Sequence, residues 1–312
     1  MIGLLITSFL AIGLLGVGRY VWTFWLYRGY AAPSRPAHVT LGSGLSARKV
    51  AVLAGSVHHL EIKSPALGGR RISTFVYLPP GYSSHNQERY PVLYLLHGNP
   101  GDPNAFLTVG DVADTEDTLV AEDKMRPLVL VMPDGSVSYL VDEEWANGIR
   151  RRSAWETFVA RDLVNTIDNR YRVITTGSGR AIGGLSEGGY GALNIGLQHI
   201  GEFRVLESWS GYMEADPIPA IFGKSASALR RNSPALEVAK DVARVRAAHT
   251  YIWFYCGTDD FTVPQNRQFN AELSRLEVPH WFAIRPGQHT WRLWRSMMPA
   301  SLETASAHLS HA

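Results

Sequence analysis

The sequence of 312 residues has one cysteine, Cys256, and its charges nearly cancel. A single cysteine cannot form an internal disulfide, and it excludes a metal site built from several thiolates. The formal net charge of +2 and the scattered basic residues give no electrostatic reason to expect nucleic acid or a strongly acidic partner. We therefore expect no nucleic-acid partner, and a small neutral substrate fits this charge balance better.

The common cofactor and metal motifs are also missing. The chain has no H-E-x-x-H, G-x-G-x-x-G or Walker loop, so neither a metal nor a nucleotide cofactor is expected. His58 and His59 are neighbours in a predicted strand and would point to opposite faces, which argues against shared metal ligation. The acidic residues between Asp111 and Glu122 do not match a calcium loop, and we expect them to form a solvated helix face.

The first 30 residues differ from the rest of the chain. Residues 2–18 are apolar or small apart from Thr7 and Ser8, and tryptophan and tyrosine recur over residues 20–27. A membrane-spanning helix needs about 20 mostly apolar residues, and these aromatic residues gather at the membrane interface. We predict an uncleaved membrane anchor over residues 1–30. The alternative is a cleaved signal peptide and a secreted protein, but the positive charge expected before the apolar stretch is missing.

The anchor is followed by a predicted linker and a single predicted domain. Residues 31–48 are rich in Pro, Gly, Ser and Ala, as linkers are, and the domain is predicted over residues 49–312. Arg19, Arg28 and Arg35 all follow the apolar stretch, so the positive-inside rule favours a cytoplasmic domain. This orientation is inferred from a single predicted span, so a domain on the opposite side of the membrane remains an alternative.

The domain alternates between strand-like and helix-like patterns. Strands are predicted at residues 57–63, 72–78, 92–96, 128–132, 181–185, 203–209, 251–255 and 280–284, and helices at residues 155–168, 188–199, 266–276 and from 291 onward. This alternation predicts an α/β fold with a mostly parallel central sheet and helices on both faces. Ligands of such sheets bind at the carboxyl ends of the strands, so residues there are the first candidates for chemistry.

A G-x-S-x-G motif, Gly184-Leu185-Ser186-Glu187-Gly188, lies between a predicted strand and a predicted helix. In this context the serine occupies a sharp turn at a helix N-terminus, and the glycines let neighbouring backbone approach closely. We predict that Ser186 is a nucleophile. Glu187 is expected to contribute its backbone N–H, while its carboxylate suits the helix dipole. The alternative interpretation is a glycine-rich turn without a chemical role.

A serine hydroxyl needs a base to take its proton, and in this type of site the partners follow in the order serine, acid, histidine. His289 lies in a loop after the last predicted strand and is the predicted base. The acid is expected from residues 257–260, which directly follow another predicted strand. We choose Asp260 over Asp259, although the sequence does not separate the two.

The tetrahedral intermediate of acyl transfer needs two N–H donors, one after the nucleophile and one after an earlier strand. Residues 95–101 form an apolar strand that opens into a glycine-rich loop. The backbone of Asn99 is therefore the predicted second donor beside that of Glu187. His97 precedes the loop glycine and is expected to brace the loop.

Six segments of the domain carry motifs of one known family. They are residues 76–82, 94–98, 131–135, 184–190, 256–261 and 287–291. The segments resemble the esterase family of the α/β-hydrolase superfamily that includes esterase D, feruloyl esterase domains and mycobacterial mycolyltransferases. The resemblance implies the α/β-hydrolase fold, a triad of Ser186, Asp260 and His289, and oxyanion donors at Asn99 and Glu187.

Two features depart from that family. Glu187 stands where the family more often has methionine, and the soluble esterases lack the apolar N-terminal segment, so their substrates do not carry over. The candidates for lining the substrate pocket are His97, Trp145, Asn147, Trp209 and Trp291. Aromatic residues in such numbers are more often found in a core.

The sequence is compatible with three functions. The first is a serine esterase that hydrolyses a carboxylic ester through an acyl-enzyme, without a cofactor. The second is an acyltransferase of the mycolyltransferase type with an alcohol or sugar acceptor. The third is a noncatalytic binding domain held at a membrane, since a fold alone does not prove activity. A membrane tether would favour a lipid or envelope ester as the substrate.

Overall fold

The computed structural model describes residues 53–84, 87–136, 143–150 and 152–311, and eight strands of this part form one sheet. The strands are β1 (Ser56–Ser64), β2 (Arg70–Leu78), β3 (Val92–Leu96), β4 (Val129–Pro133), β5 (Arg180–Gly184), β6 (Val205–Trp209), β7 (Tyr251–Gly257) and β8 (His280–Arg285). The helices are α1 (Asn104–Thr108), α2 (Val112–Ala121), α3 (Trp155–Thr157), α4 (Val164–Arg170), α5 (Glu187–Gln198), α6 (Pro219–Phe222), α7 (Ala226–Arg231), α8 (Pro234–Lys240), α9 (Val242–Ala247), α10 (Val263–Arg275) and α11 (Trp291–His308). A π-helical stretch, Phe158–Leu163, joins α3 to α4, and a 3₁₀ turn, Gly177–Gly179, precedes β5.

The strand order is β1-β2-β4-β3-β5-β6-β7-β8. β1, β2 and β4 pair antiparallel, whereas every pairing from β4 through β3 to β8 is parallel. The connection between β1 and β2 turns at Gly68 and Gly69, whose φ angles of 68° and 86° suit glycine. The predicted mostly parallel sheet is confirmed, and a hairpin forms its antiparallel edge.

The central strands are buried along their whole length, and this explains their continuous apolar sequences. In β3 the side chains alternate between two core layers. Val92, Tyr94 and Leu96 enter one layer, and Leu93 and Leu95 enter the other. Both faces of the sheet are therefore covered by helices, as the sequence predicts.

The two layers bring different helices onto the sheet. The first contains Phe158, Leu193 of α5 and Phe269 of α10, and the second contains Phe106 of α1 and Leu302 of α11. The connection from β6 to β7 carries the short helices α6 to α9, which the sequence analysis did not predict. Their four to seven residues are too short for a periodic pattern to be recognised.

Helix α2 corrects one expectation, because its acidic residues do not all face solvent. Asp114 is exposed, but Glu116 and Asp117 are buried. Glu116 accepts the Leu128 N–H at 2.7 Å, and Asp117 accepts the Tyr77 hydroxyl at 2.5 Å. The predicted solvated face is wrong at these two positions, since both carboxylates fix neighbouring segments by hydrogen bonds.

The predicted anchor and linker, residues 1–48, lie outside the described residues, as does the start of the predicted domain up to residue 52. Among the helices that the structure does describe, none combines the length and apolar character needed to cross a bilayer.

Glu207 of β6 is a fully buried carboxyl group within the second core layer. It accepts hydrogen bonds from the hydroxyl of Ser301 on α11 and from the indole N–H of Trp209, the latter at 3.1 Å. Burial raises the pKa of Glu207 to about 8, because these two neutral donors offset only part of the lost hydration of a charge. The group is therefore protonated in the folded protein at pH 7.

We expect Glu207→Gln to flatten the pH dependence of stability. The folded pKa lies above the unfolded one, so the folded chain holds a proton that the unfolded chain releases between about pH 4.5 and about 8. The free energy of unfolding should fall over this window by up to about 1.4 kcal/mol per pH unit in the wild type. Glutamine accepts the same two hydrogen bonds without titrating. Urea unfolding from pH 5 to 9 measures the difference.

The control for this experiment is Glu277→Gln, because the side chain of Glu277 is exposed. We expect Glu277→Gln to follow the wild type across the pH range. Curves for Glu207→Gln and wild type that stay parallel from pH 5 to 9 would contradict the buried protonated state.

Candidate active site

Ser186 occupies the sharp turn between β5 and α5. Its backbone has φ 56° and ψ −122°, a conformation that non-glycine residues rarely adopt and that costs about 1–3 kcal/mol. Two hydrogen bonds hold the turn to neighbouring strands: Leu185 N–H donates to Leu96 O at 3.2 Å, and Ser186 N–H donates to Trp209 O at 2.9 Å. The predicted strand–turn–helix context of the G-x-S-x-G motif is therefore present.

The glycines of the motif are required by close backbone contacts. A Cβ on Gly188 would collide with the carbonyl oxygen of Leu96 and lie 2.7 Å from that of His97. A Cβ on Gly184 would also collide with the Leu96 carbonyl and approach Gly188 O to 2.7 Å. Helix α5 can start directly above the end of β3 only because neither residue has a side chain.

The imidazole of His289 lies beside the serine. His289 belongs to the loop between β8 and α11, and its Nε2 is 2.9 Å from Ser186 Oγ. Its ring contacts the buried indole of Trp294, with ring centroids 5.1 Å apart, and the ring of Phe261 at 4.8 Å. The structure thus brings together two side chains that are 103 residues apart in sequence.

Asp260 lies on the other side of the imidazole. His289 Nδ1 is 3.1 Å and 3.0 Å from its two carboxylate oxygens, and Thr262 donates its N–H and its hydroxyl to Oδ1 at 3.0 Å and 2.9 Å. Burial alone would raise the pKa of Asp260. The hydrogen bond and charge of His289 and the backbone N–H of Thr262 outweigh burial, so the pKa lies below its usual value.

The ionised carboxylate fixes the tautomer of the histidine. A carboxylate only accepts hydrogen bonds, so Nδ1 of His289 carries the proton, and Nε2 is left to accept the hydroxyl proton of Ser186. The neighbouring Asp259 has an exposed side chain, and its backbone N–H donates to Gly287 O at 3.0 Å. Of the two adjacent acids, Asp260 is the one that faces the imidazole.

His97 connects the loop after β3 to the loop after β4. Its Nε2 accepts the Gly135 N–H at 2.8 Å, its Nδ1 is 2.9 Å from Gly98 O, and its carbonyl accepts the Trp145 indole N–H at 2.9 Å. The side chain is buried. These three contacts let His97 brace the loop between the ends of β3 and β4.

Asn99 and Glu187 occupy corresponding positions just after two neighbouring strands. Leu96 of β3 pairs with Gly184 of β5, and Asn99 and Glu187 each lie three residues further along. Because β3 and β5 are parallel, both residues follow the carboxyl ends of adjacent strands, at the edge of the sheet where Ser186 lies.

The predicted pocket aromatics need correction. Trp145, Trp209 and Trp291 are at most 2% exposed and belong to the two core layers. Asn147 is half-buried, and its side-chain amide N–H donates to the hydroxyl of Thr157 on α3 at 3.0 Å. A sequence does not show which way an indole faces. Trp145 packs against His97, and Trp209 and Trp291 both pack against Phe106. The contact of Phe261 with His289 was missed, although its position directly after the predicted acid is a usable signal.

The family model described as "Putative esterase" matches residues 64–305. The match spans more than half of the chain and includes every residue of the site described above. This chain belongs to that esterase family. Within the described residues, no group of three or more His, Cys, Asp or Glu side chains is arranged to hold a metal ion.

The relatives of this chain carry more than one named activity. An esterase of Mycobacterium tuberculosis is 27% identical over 248 residues, which cover 70% of this chain and 52% of the relative. An acetyl esterase of Caldicellulosiruptor saccharolyticus is 24% identical, with 71% and 85% covered. The diacylglycerol acyltransferase/mycolyltransferase Ag85B of Mycobacterium leprae is 27% identical, with 76% and 73% covered. The chain thus spans about half the length of the mycobacterial esterase.

Solved structures share the fold. A ferulic acid esterase superimposes with a TM-score of 0.74 at 27% identity, covering 83% of this chain and 100% of its own. A fluorophosphonate-binding serine hydrolase of Staphylococcus aureus superimposes with a TM-score of 0.69, covering 81% of this chain and 99% of its own. At 22% identity this second likeness shows the fold alone. The chain has an α/β-hydrolase-like fold.

We expect Gly188→Ala to destabilise the protein by about 3 kcal/mol or more, because the added Cβ meets rigid backbone of β3 and its loop. Gly81→Ala is the matched control. A Cβ on Gly81 meets nothing within 4 Å, so only its φ of 79° is unfavourable, and a cost of about 1–2 kcal/mol follows. Denaturant unfolding measures both. Equal losses in the two variants would show that the backbone contact at Gly188 is not limiting.

Proposed function

We propose that this esterase cleaves a carboxylic ester through an acyl-enzyme formed on Ser186. The observation that carries the proposal is an unbroken chain of hydrogen bonds from Asp260 through His289 to Ser186, with distances of 3.0 Å and 2.9 Å. The chain ends on a serine held at a strained strand-to-helix turn. A nucleophile oriented by a base, and a base oriented by an acid, is the arrangement that acyl transfer requires.

In the first step Ser186 Oγ attacks the carbonyl carbon of the ester while Nε2 of His289 takes the hydroxyl proton. The carbonyl oxygen becomes negatively charged, and the backbone N–H groups of Glu187 and Asn99 stabilise it as hydrogen-bond donors. The helix dipole at the N-terminus of α5 acts in the same direction. His289 then passes its proton to the alcohol oxygen, which leaves, and the acyl group stays on Ser186.

In the second step water attacks the acyl-enzyme, and His289 acts again as base and then as acid. Each cycle passes through a positively charged imidazolium, which Asp260 stabilises at 3.0 Å. The lowered pKa of Asp260 supports this role, because a carboxylate that stays ionised can offset the imidazolium charge without taking up the proton itself.

Acyl transfer to an alcohol is the second candidate function, and the similarity to the mycolyltransferase of M. leprae favours it. The two reactions share every step up to the acyl-enzyme and differ in whether water or an alcohol attacks it. Product partition with added glycerol or a disaccharide separates them. We expect free acid as the main product from a short-chain ester, and a dominant new ester would favour transfer.

We expect Ser186→Ala to abolish fluorophosphonate labelling and to lower the turnover of a chromogenic short-chain ester by about a millionfold. The substitution removes only the hydroxyl group, and His289 and Asp260 keep their positions. Mass spectrometry locates the label, and burst kinetics of the wild type detect the acyl-enzyme. Partial loss of activity would contradict the assignment of Ser186, and a wild type that neither reacts with the label nor turns over any ester would favour a noncatalytic domain.

The adjacent acids supply a matched control. Asp260→Asn should lower turnover by about 10⁴-fold, because an amide no longer selects the productive histidine tautomer. Asp259→Asn makes the same chemical change on an exposed side chain and should leave turnover within about twofold. Equal effects of the two substitutions would contradict the role given to Asp260.

A further inference from the structure

Phe261 is an exposed aromatic residue at the proposed catalytic triad. It directly follows Asp260, and 72% of its surface is accessible to solvent. Its ring centroid is 4.8 Å from that of His289, with the two planes at 41°. Among the large hydrophobic residues that are exposed in the described part of the chain, Phe261 is the aromatic one.

The imidazole is already held without Phe261. The carboxylate of Asp260 accepts a hydrogen bond from Nδ1, and the fully buried indole of Trp294 contacts the ring from the core at 5.1 Å and 85°. A phenyl ring that served only to support the imidazole would be buried against it. Most of the Phe261 ring instead faces solvent beside the imidazole, where a ligand bound at the site can cover it.

The position of the ring indicates which part of an ester would cover it. Nε2 of His289 must come within hydrogen-bond distance of the alcohol oxygen in order to protonate it. The atoms that follow this oxygen in the alcohol then lie beside the imidazole and its surface neighbour. That surface neighbour is Phe261. The acyl carbon, by contrast, is bonded to Ser186, so the acyl chain starts from the serine and not from the side of the imidazole.

We propose that Phe261 determines specificity for the alcohol part of the ester by packing against it, so that aromatic and bulky apolar alcohols are preferred. This inference rests on the esterase function proposed above. Covering most of one phenyl ring contributes about a tenfold preference. Phe261 belongs to the alcohol-binding side of the site and does not select the length of the acyl chain.

The test compares kcat/KM of the wild type, Phe261→Ala, Phe261→Tyr and Val57→Ala on methyl acetate, benzyl acetate and methyl butyrate. Phe261→Ala should lower kcat/KM for benzyl acetate about tenfold, mainly by raising KM, and leave both methyl esters within about twofold. Phe261→Tyr keeps the ring and should keep the preference for benzyl acetate. Val57→Ala removes an exposed hydrophobic side chain on β1 and should change none of the three.

Several outcomes would overturn the assignment of Phe261. An equal loss on all three esters, or a pH profile of kcat/KM shifted on methyl acetate, would show that the ring only positions His289. A loss of kcat/KM that is largest on methyl butyrate would place the ring on the acyl side. An unchanged preference for benzyl acetate would show that the ring does not contact the alcohol part. A wild type that cleaves none of the esters and takes no fluorophosphonate label would overturn the proposed function itself, and the Phe261 assignment with it.

Discussion

The candidate active site depends on one constraint, the turn that holds Ser186 with φ 56° between β5 and α5. The turn brings the hydroxyl to the imidazole of His289, but it forces the start of α5 against the backbone of β3. Gly184 and Gly188 make that contact possible, and the hydrogen bonds from Leu185 and Ser186 to β3 and β6 stabilise it. The strain of about 1–3 kcal/mol is offset by packing on both faces of a buried sheet.

The parallel sheet brings Asp260 and His289 to the same edge as Ser186, at the carboxyl ends of the strands. Asp260 follows β7 and His289 follows β8, and these neighbouring strands extend their pairing into the loops. Thr258 N–H donates to Arg285 O at 2.8 Å, and Asp259 N–H donates to Gly287 O at 3.0 Å. The two loops are therefore fixed to each other, which sets the distance between the carboxylate and the imidazole before any substrate binds.

Two buried carboxyl groups show how partners decide charge. Asp260 is near a histidine and accepts two hydrogen bonds from Thr262, and its pKa is lowered. Glu207 lies deeper, accepts from two neutral donors, and has a pKa of about 8. Burial penalises the charge of both groups, but only Asp260 has a partner that can become positively charged. The charged carboxylate of Asp260 faces the imidazole of His289, and the neutral carboxyl group of Glu207 links β6 to α11.

The sequence determined the fold class, most strand positions and the pairing of Ser186 with His289, because period, strand-end position and chain order are local or ordered along the chain. It also favoured Asp260, but two adjacent aspartates differ only in which way they point. The facing of side chains was decided by tertiary structure. Trp209 and Trp291 point into the core, Glu116 is buried and Phe261 is exposed beside His289. No pattern along the chain specifies these directions, since each depends on elements that meet only when the sheet and its two helical layers have packed together.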